Sequence, residues 1–565
     1  MGRVNPPLGS LALTWALALA SGMQIVNAGD RISGTHAPAS ANSICCKKQR
    51  ETTTRAGRKN HGGRKQATFV SMPLASHPAV KDAASLDQPP MAAAISGNAP
   101  ALDPEAGWMP SGSGSAAVLT LPSESTTIGN SGSAGAPVPT VTPTAGPERG
   151  WTPAAYVNSR LPRWLRMSGQ FRNRDEAPTA YSFMPGNNDA YALTRAVLGF
   201  DATPTPWLRA FVQARDAEVM GANPQNVTSS MKDAFDLEQA YLELRNADQG
   251  WFSLQAGRQQ MLYGDERLVG RSDWSNASRS FDAIRLRLQS QAYGARVDLF
   301  ASSVVKNYPT SLDRVLPGQN FYGMNLTFTK LVPKATIEPY LYVRTLPSVT
   351  GVDKLKGNER LYTSGFRANG TFRGGFDYKV RYSFQSGHLA DDPIHAWGGY
   401  GVFGYTIPKS RFQPRFSIEY AYASGNKAIG DRVIGTFDQL YPTSHGQRGI
   451  TDLFAEENIK DLKPAFDFKP VKKTKAVFMV NRLSLASRYD GLYDPHSEAL
   501  IVKVPNSGGL SSGIGTEADL YGTYDINQRL QLGAGVGHLY AGPFFKENTA
   551  GGSVTYPYVL LDYHF

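Results

Sequence analysis

The amino-acid sequence predicts an all-β chain, a transmembrane antiparallel β-barrel of about 18 strands behind a disordered N-terminal region. Three observations carry that expectation: an apolar leader near the N-terminus, period-two alternation from Trp151 onward, and a last strand that ends on Phe565. Composition agrees with them. Aromatic residues make up 11% of 565 residues while the mean hydropathy is -0.32, so the chain is rich in amphipathic rings without an excess of aliphatics. That balance suits a wall with one greasy and one wet face.

In the leader, Arg3 precedes an apolar run from Leu8 to Met23 and then Val26-Asn27-Ala28, a small-residue cleavage pattern. Residues 1–28 therefore read as a secretory signal peptide. Its core is short for a spanning helix, and no other stretch approaches the ~20 apolar residues that such a helix needs. Membrane entry has to be by strands. Residues 29–150 are dominated by Ser, Gly, Ala, Pro and Thr, too poor in large apolar side chains to offset chain entropy, and are expected to be disordered. The basic cluster between Lys47 and Lys65 reads as part of a solvated tail rather than a nucleic-acid site. Cys45 and Cys46 are adjacent and supply no disulfide framework.

Residues 151–565 form the predicted barrel. In Phe376-Asp-Tyr378-Lys-Val380-Arg-Tyr382-Ser-Phe384 every even position is apolar or aromatic and every odd one polar. Period two gives a strand one greasy and one wet face. The same alternation runs through Leu165–Phe171, Ile284–Gln289 and Phe416–Tyr422, and more weakly through Leu208–Gln213, Ala240–Arg245 and Phe252–Ala256. Soluble sandwiches alternate too, but Arg, Lys, Gln and Glu between the apolar positions suit a wet pore better than a sandwich surface. About 400 residues at roughly 20 to 25 per strand with its connection give about 16 to 20 strands, enough to enclose an aqueous lumen. The last segment, Val559-Leu-Leu561-Asp-Tyr563-His-Phe565, resembles the terminal aromatic strand by which outer-membrane barrels are recognised for insertion, and places the protein in the bacterial outer membrane.

Two longer segments carry a family resemblance. Gly257-Arg-Gln-Gln-Met-Leu-Tyr-Gly264-Asp-Glu-Arg-Leu-Val-Gly270, with Trp274-Ser-Asn276 and Arg279-Ser-Phe281-Asp282 after it, resembles the signature region of the alginate export outer-membrane proteins. So does Tyr420-Ala-Tyr-Ala-Ser-Gly425-Asn426, continuing through Gly435-Thr-Phe-Asp-Gln-Leu-Tyr-Pro442-Thr-Ser-His445-Gly446. The resemblance runs from about Leu161 to Phe565. It implies an 18-stranded monomeric barrel that exports an anionic, uronate-type polysaccharide through an electropositive pore, with periplasmic export partners.

A pore for a polyanion needs fixed positive charge on its inner face, and arginine adds a planar fork that fits a carboxylate. The polar parity of each strand nominates Arg166, Arg172, Arg209, Arg215, Arg245, Arg258, Arg285, Arg287, Lys379, Arg381, Arg415, Arg482 and Arg488 as the substrate pathway. Glu238, Glu243, Asp377 and Glu419 share that parity, so a bracing role through cross-strand ion pairs stands beside the conducting one. Gly425 to about Lys475 reads as one large loop that plugs or gates the lumen. No phosphate loop, metal cluster or catalytic constellation is apparent, so no cofactor or enzymatic activity is expected. Outer-membrane lipid is the expected surroundings. A general small-solute porin and a barrel enzyme of lipase or protease type are the alternatives.

Overall fold

The computed structural model describes residues 152–246, 250–496, 500–502 and 511–565. The expected signal peptide and low-complexity region lie outside the described residues. Among those described, eighteen strands form the wall, in chain order β1 (Leu165–Glu176), β2 (Tyr191–Thr205), β3 (Leu208–Met220), β4 (Asp233–Arg245), β5 (Phe252–Gln259), β6 (Phe281–Ser290) and β7 (Ala295–Lys306). The two-residue β8 (Arg314–Val315) only tops β7. The wall continues through β9 (Asn320–Phe328), β10 (Ala335–Thr350), β11 (Lys356–Thr371), β12 (Phe376–Leu389), β13 (Asp392–Thr406), β14 (Arg415–Ala423), β15 (Ile459–Phe468) and β16 (Thr474–Leu485). A small hairpin, β17 (Leu492–Tyr493) with β18 (Leu500–Val502), precedes the last wall strands β19 (Gly513–Asp525), β20 (Leu530–Ala541) and β21 (Val554–His564).

Each wall strand pairs antiparallel with the next, and β21 returns to pair with β1 from Gln170↔His564 to Glu176↔Tyr558. That pairing closes the sheet, so no wall edge is left to be satisfied by lipid. Closure is tightened by the last residue. Gly169 and Phe565 exchange both backbone hydrogen bonds, at 2.8 and 2.9 Å, and the Phe565 ring occupies the space that a Cβ on residue 169 would fill.

The alternation sorts as expected. Along β12, Phe376, Tyr382 and Phe384 are exposed on the outer face, whereas Arg381, Ser383 and Gln385 are buried inside. Short turns join the strands at the end that carries Leu165 and Phe565, called here the terminal end, and the long connections lie at the opposite, loop end. In outer-membrane barrels short turns face the periplasm and long loops the exterior.

The lumen is filled in two layers. Towards the loop end the inward residues are aromatic, including Phe281, Phe300, Phe321, Tyr340 and Tyr342, and they pack with Met261, Val269, Phe437, Leu440 and Phe454 into one apolar core. Towards the terminal end the inward residues are charged, among them Arg287, Asp377, Lys379, Arg415 and Asp467. The large loop expected from Gly425 to about Lys475 is shorter, spanning 424–458. Its predicted second half is β15 and the start of β16, whose inward Asp461 and Lys463 are almost fully buried and gave those strands the composition of a loop.

Replacing Phe565 by Ala is expected to lower barrel stability by about 1–2 kcal/mol, the worth of a half-buried aromatic ring. Urea unfolding followed by heat-modifiable gel mobility measures it, and an unchanged midpoint would remove Phe565 from the closure.

Candidate functional site: a lumen held by arginine forks

The connection 260–280 between β5 and β6 and the connection 424–458 between β14 and β15 both turn back into the barrel and dock on each other. Val269 and Tyr441 form a parallel bridge, Gly270 N–H donates to Tyr441 C=O at 2.8 Å, and Thr443 N–H donates to Glu266 C=O at 2.8 Å. Arg279 reaches across to the Pro442 carbonyl at 2.8 Å. At the centre of the contact Trp274 is fully buried, with the His445 ring stacked on one face at 4.4 Å and 7°, the Arg174 guanidinium 3.7 Å from its ring centroid, and Tyr558 edge-on at 4.9 Å.

Wall arginines hold these segments by their backbones. Arg172 donates to the carbonyls of Asp273, Trp274 and Ser275 at 2.6 to 2.9 Å, and Arg195 donates to Asp273 C=O at 2.9 Å while pairing with its carboxylate at 3.0 Å. A guanidinium offers five donors in a fixed fork, which suits it to gathering several carbonyls of a folded-in segment. From the opposite wall Glu419 on β14 binds Arg267 at 2.8 Å, Arg381 on β12 pairs with Glu456, and Glu517 on β19 accepts from Thr451 N–H at 3.0 Å. The docked segments thus contact inward residues from strands on every side of the ring, which places them within it.

Burial dictates the charge state of the docked groups. It pushes the Asp265 carboxyl up, but Arg367 and Arg267 overcome it and hold that carboxyl well below its ordinary range. His445 donates to or accepts from Asp452 through Nδ1. Burial, then the nearby Arg174 charge, drives His445 well below the ordinary imidazole value, and burial with neighbouring Glu517 drives Asp452 up, so neither carries charge readily.

Of the nominated pathway residues, the structure turns Arg172, Arg209, Arg215, Arg285, Arg287, Lys379, Arg381 and Arg415 inward. Most are ion-paired. Arg209 binds Asp201 at 2.7 Å and Glu243 at 3.3 Å; Arg215 binds Asp233 and, at 3.0 Å, Glu238. Arg287 holds Asp298 at 2.7 Å, and Arg415 joins Asp377 at 2.7 Å to Asp467 at 3.2 Å. Arg285 donates to Gln255, and neither it nor Lys379 has an ion-pair partner among the described residues.

Five nominated residues are placed elsewhere. Arg166 and Arg245 keep the inward parity but sit at the terminal rim, bonded to the turn carbonyls of Pro162 and Pro206. Arg258 is in register with Ala240 and Asp282, on the opposite parity from buried Gln255 and Gln259, and its outward guanidinium pairs with Asp282 at 2.9 Å. Arg482 is exposed between inward Asn481 and Leu483 and donates to Thr516 Oγ1 at 2.7 Å. Arg488 lies in the connection after β16, outside the wall. On β16 polarity misled because the inward face near the loop end, at Leu483 and Leu485, is itself apolar, whereas on β5 Arg258 shares the outward parity of Leu254 and Ala256.

Sequence reading missed Arg174, Arg195, Arg267, Arg344 and Arg367. Arg174 was readable as the next inward position after Arg172. Arg344, which binds Glu359 at 2.8 Å, and Arg195 share their faces with Tyr342 and Leu193, so polarity hid them. His388 and Asp392 lie on opposite faces: His388 is exposed, whereas buried Asp392 accepts from Arg432 Nε at 2.8 Å. The pair His445 with Asp452 sits deep in the contact between the docked segments and not at a surface open to substrate.

A closed ring of eighteen strands, charged within and apolar without, defines a channel-type barrel of the bacterial outer membrane. The chain belongs to the alginate export family, which it matches over residues 163–557. No curated protein matches it. Among solved structures, Acinetobacter baumannii OccAB2 is similar in fold, at 9% identity over 71% of this chain and 98% of that one, with a TM-score of 0.50. Pseudomonas aeruginosa OccD3 (OpdP) gives 12% identity over 72% and 92%, with a TM-score of 0.49. Pseudomonas aeruginosa OpdL gives 13% over 71% and 98%, with a TM-score of 0.48.

Two outcomes test the docking. Trp274→Ala is expected to lower stability by about 3–5 kcal/mol, as for a buried aromatic, and to raise single-channel conductance as the segments loosen. An unchanged conductance would show that Trp274 does not hold the docked segments in the path of ions. A buried imidazole whose folded value lies below its unfolded ~6.5 makes the unfolded chain the stronger proton binder, so stability is lost as pH falls from about 6.5. The raised Asp452 works in the opposite sense, so the readout is the difference between chains: between about pH 7 and pH 5 the thermal transition of the native chain should fall relative to that of His445→Gln. Equal slopes would reject His445 as the titrating group.

Proposed function

We propose that this channel passes an anionic polysaccharide of the uronate type, or a related anionic solute, along the inward cations of its charged lower lumen. The observation that carries the reading is that Arg285 and Lys379, on β6 and β12, face the lumen outside any direct ion pair among the described residues, with Asp265 acting on Lys379 only at longer range. A fixed cation on a low-dielectric wall raises the local concentration of anions, more so when no carboxylate is in direct contact with it. Membership of the alginate export family supports a polymeric substrate bearing carboxylates. Arg287, already paired with Asp298, exchanges one carboxylate for another as the substrate moves, which keeps the contact weak enough to release. The docked segments form the narrow part of the path, and a periplasmic partner feeds a monomeric barrel from the terminal end.

A general porin is the second reading. It is favoured by Asp201, Glu243, Asp377 and Asp467, which lie among the same cations and offset them.

The double variant Arg285→Glu with Lys379→Glu should reduce the anion-over-cation permeability ratio in planar bilayers by about threefold or more. An unchanged ratio would remove both residues from the conduit. Liposome swelling should be faster with uronate oligomers than with neutral sugars of equal length, and equal rates would favour the general porin.

A further inference from the structure

The outer face of the wall is not charged evenly around the ring. Along β11, β13, β15 and β16 the outward positions run through apolar residues towards the loop end and then meet a cation or an imidazole. Tyr362 is followed by Arg360, Trp397 by His395, Leu462 by Lys460, and Val480 by Arg482, each two residues further along its own outward face. On β12 the outward run Tyr382, Phe384 and Ser386 ends at His388, directly opposite Arg360 in the register. Such cross-strand neighbours have Cβ atoms roughly 4.5–5.5 Å apart. Arg360, His388, His395 and Arg482 are exposed and Lys460 is half-buried. None of Arg360, His388, His395 or Lys460 has a side-chain hydrogen bond or ion pair among the described residues. Between the two groups, on neighbouring strands, Trp397 and Tyr422 stack at 4.3 Å.

On β1 and β3 the equivalent outward positions are acidic. Asp175, Asp216 and Glu218 stand there, the last paired with Lys232 at 2.8 Å, and on β5 and β6 Arg258 and Asp282 pair with each other. On β20 the outward His538 bonds Thr555 Oγ1 at 2.8 Å, so the run of outward positive groups is densest on β11–β16.

We propose that this arc is a docking surface for a phosphorylated lipid of the outer leaflet, with its phosphates on Arg360, His388 and His395 and on Lys460 and Arg482, and its acyl chains along the apolar band below. The position of the cations decides the class of partner. They sit at the upper edge of a band about 25 Å tall that faces hydrocarbon, at the depth of lipid headgroups, and the aromatic pair between them is of the kind that settles at that interface. A soluble anion would have no use for the apolar surface beneath. Unpaired cations held there gain from a phosphate's charge and its acceptor oxygens. The surface lies on the opposite side of the wall from the conduit and does not depend on it.

The test uses the full chain, purified in detergent and exchanged with a bis-phosphorylated outer-leaflet glycolipid, with bound lipid counted by native mass spectrometry. The sets Arg360→Gln/His388→Gln/His395→Gln and Lys460→Gln/Arg482→Gln are each expected to reduce retained lipid by about fivefold or more. Asp175→Asn/Asp216→Asn on the acidic arc should leave retention unchanged, and so should inorganic phosphate added as competitor. Heat-modifiable mobility verifies that each variant is folded, and a loss of retention in either set supports the proposal. Unchanged retention in both sets, equal retention of the same lipid after its phosphates are removed, or displacement by inorganic phosphate would overturn the proposal.

Discussion

A chain that crosses hydrocarbon must satisfy every backbone N–H and C=O from within itself, and the register joining Gln170–Glu176 to Tyr558–His564 is where this molecule meets that demand. Everything else in the architecture depends on that seam. Once the ring is closed, each strand has only two directions for its side chains, and residues two apart share a fate. The outer direction is set by lipid and admits little but apolar and aromatic groups. The inner direction is free to carry charge, provided that the charge finds a partner.

The inner charges find partners of two kinds. Near the terminal end they bind one another, as in the chain of Asp377, Arg415 and Asp467 across β12, β14 and β15. Near the loop end they bind a segment of backbone, as Arg172 does with three consecutive carbonyls. Removing a charge from water costs several kcal/mol unless hydrogen bonds replace the hydration, and a folded-in segment offers them in quantity. The arginines that would line an empty pore are here the means by which the pore is filled. A wall of ion pairs and a docked plug are thus two answers to one electrostatic requirement.

How much of this was legible in the sequence follows the same division. The barrel, its approximate strand number and the outward faces of β12 and β14 were legible because lipid imposes one rule on them. The inward face was legible where charged residues alternate with outward apolar ones, as at Arg172, Arg381 and Arg415, although all three are buried. Where the docked segments reach the wall, an inward Leu193 or Leu483 is as apolar as an outward Val480, and polarity no longer tells inside from outside. Arg482 was misassigned for that reason, and Arg195 was overlooked. The pairing partners of β15 were obscured in turn by Asp461 and Lys463, whose charges belong to the lumen and not to a loop.

The two segments on which the family resemblance was read, Gly257–Asp282 and Tyr420–Gly446, contain the stretches that turn inward and bind each other through Val269 with Tyr441 and Trp274 with His445. The family match over residues 163–557 takes in staves and filling alike, and what sets these two segments apart is that they bind each other. For anyone building chimeras, the two segments make up a single cassette: moved together they bring their mutual fit to a new cylinder, and moved singly each would arrive without its counterpart.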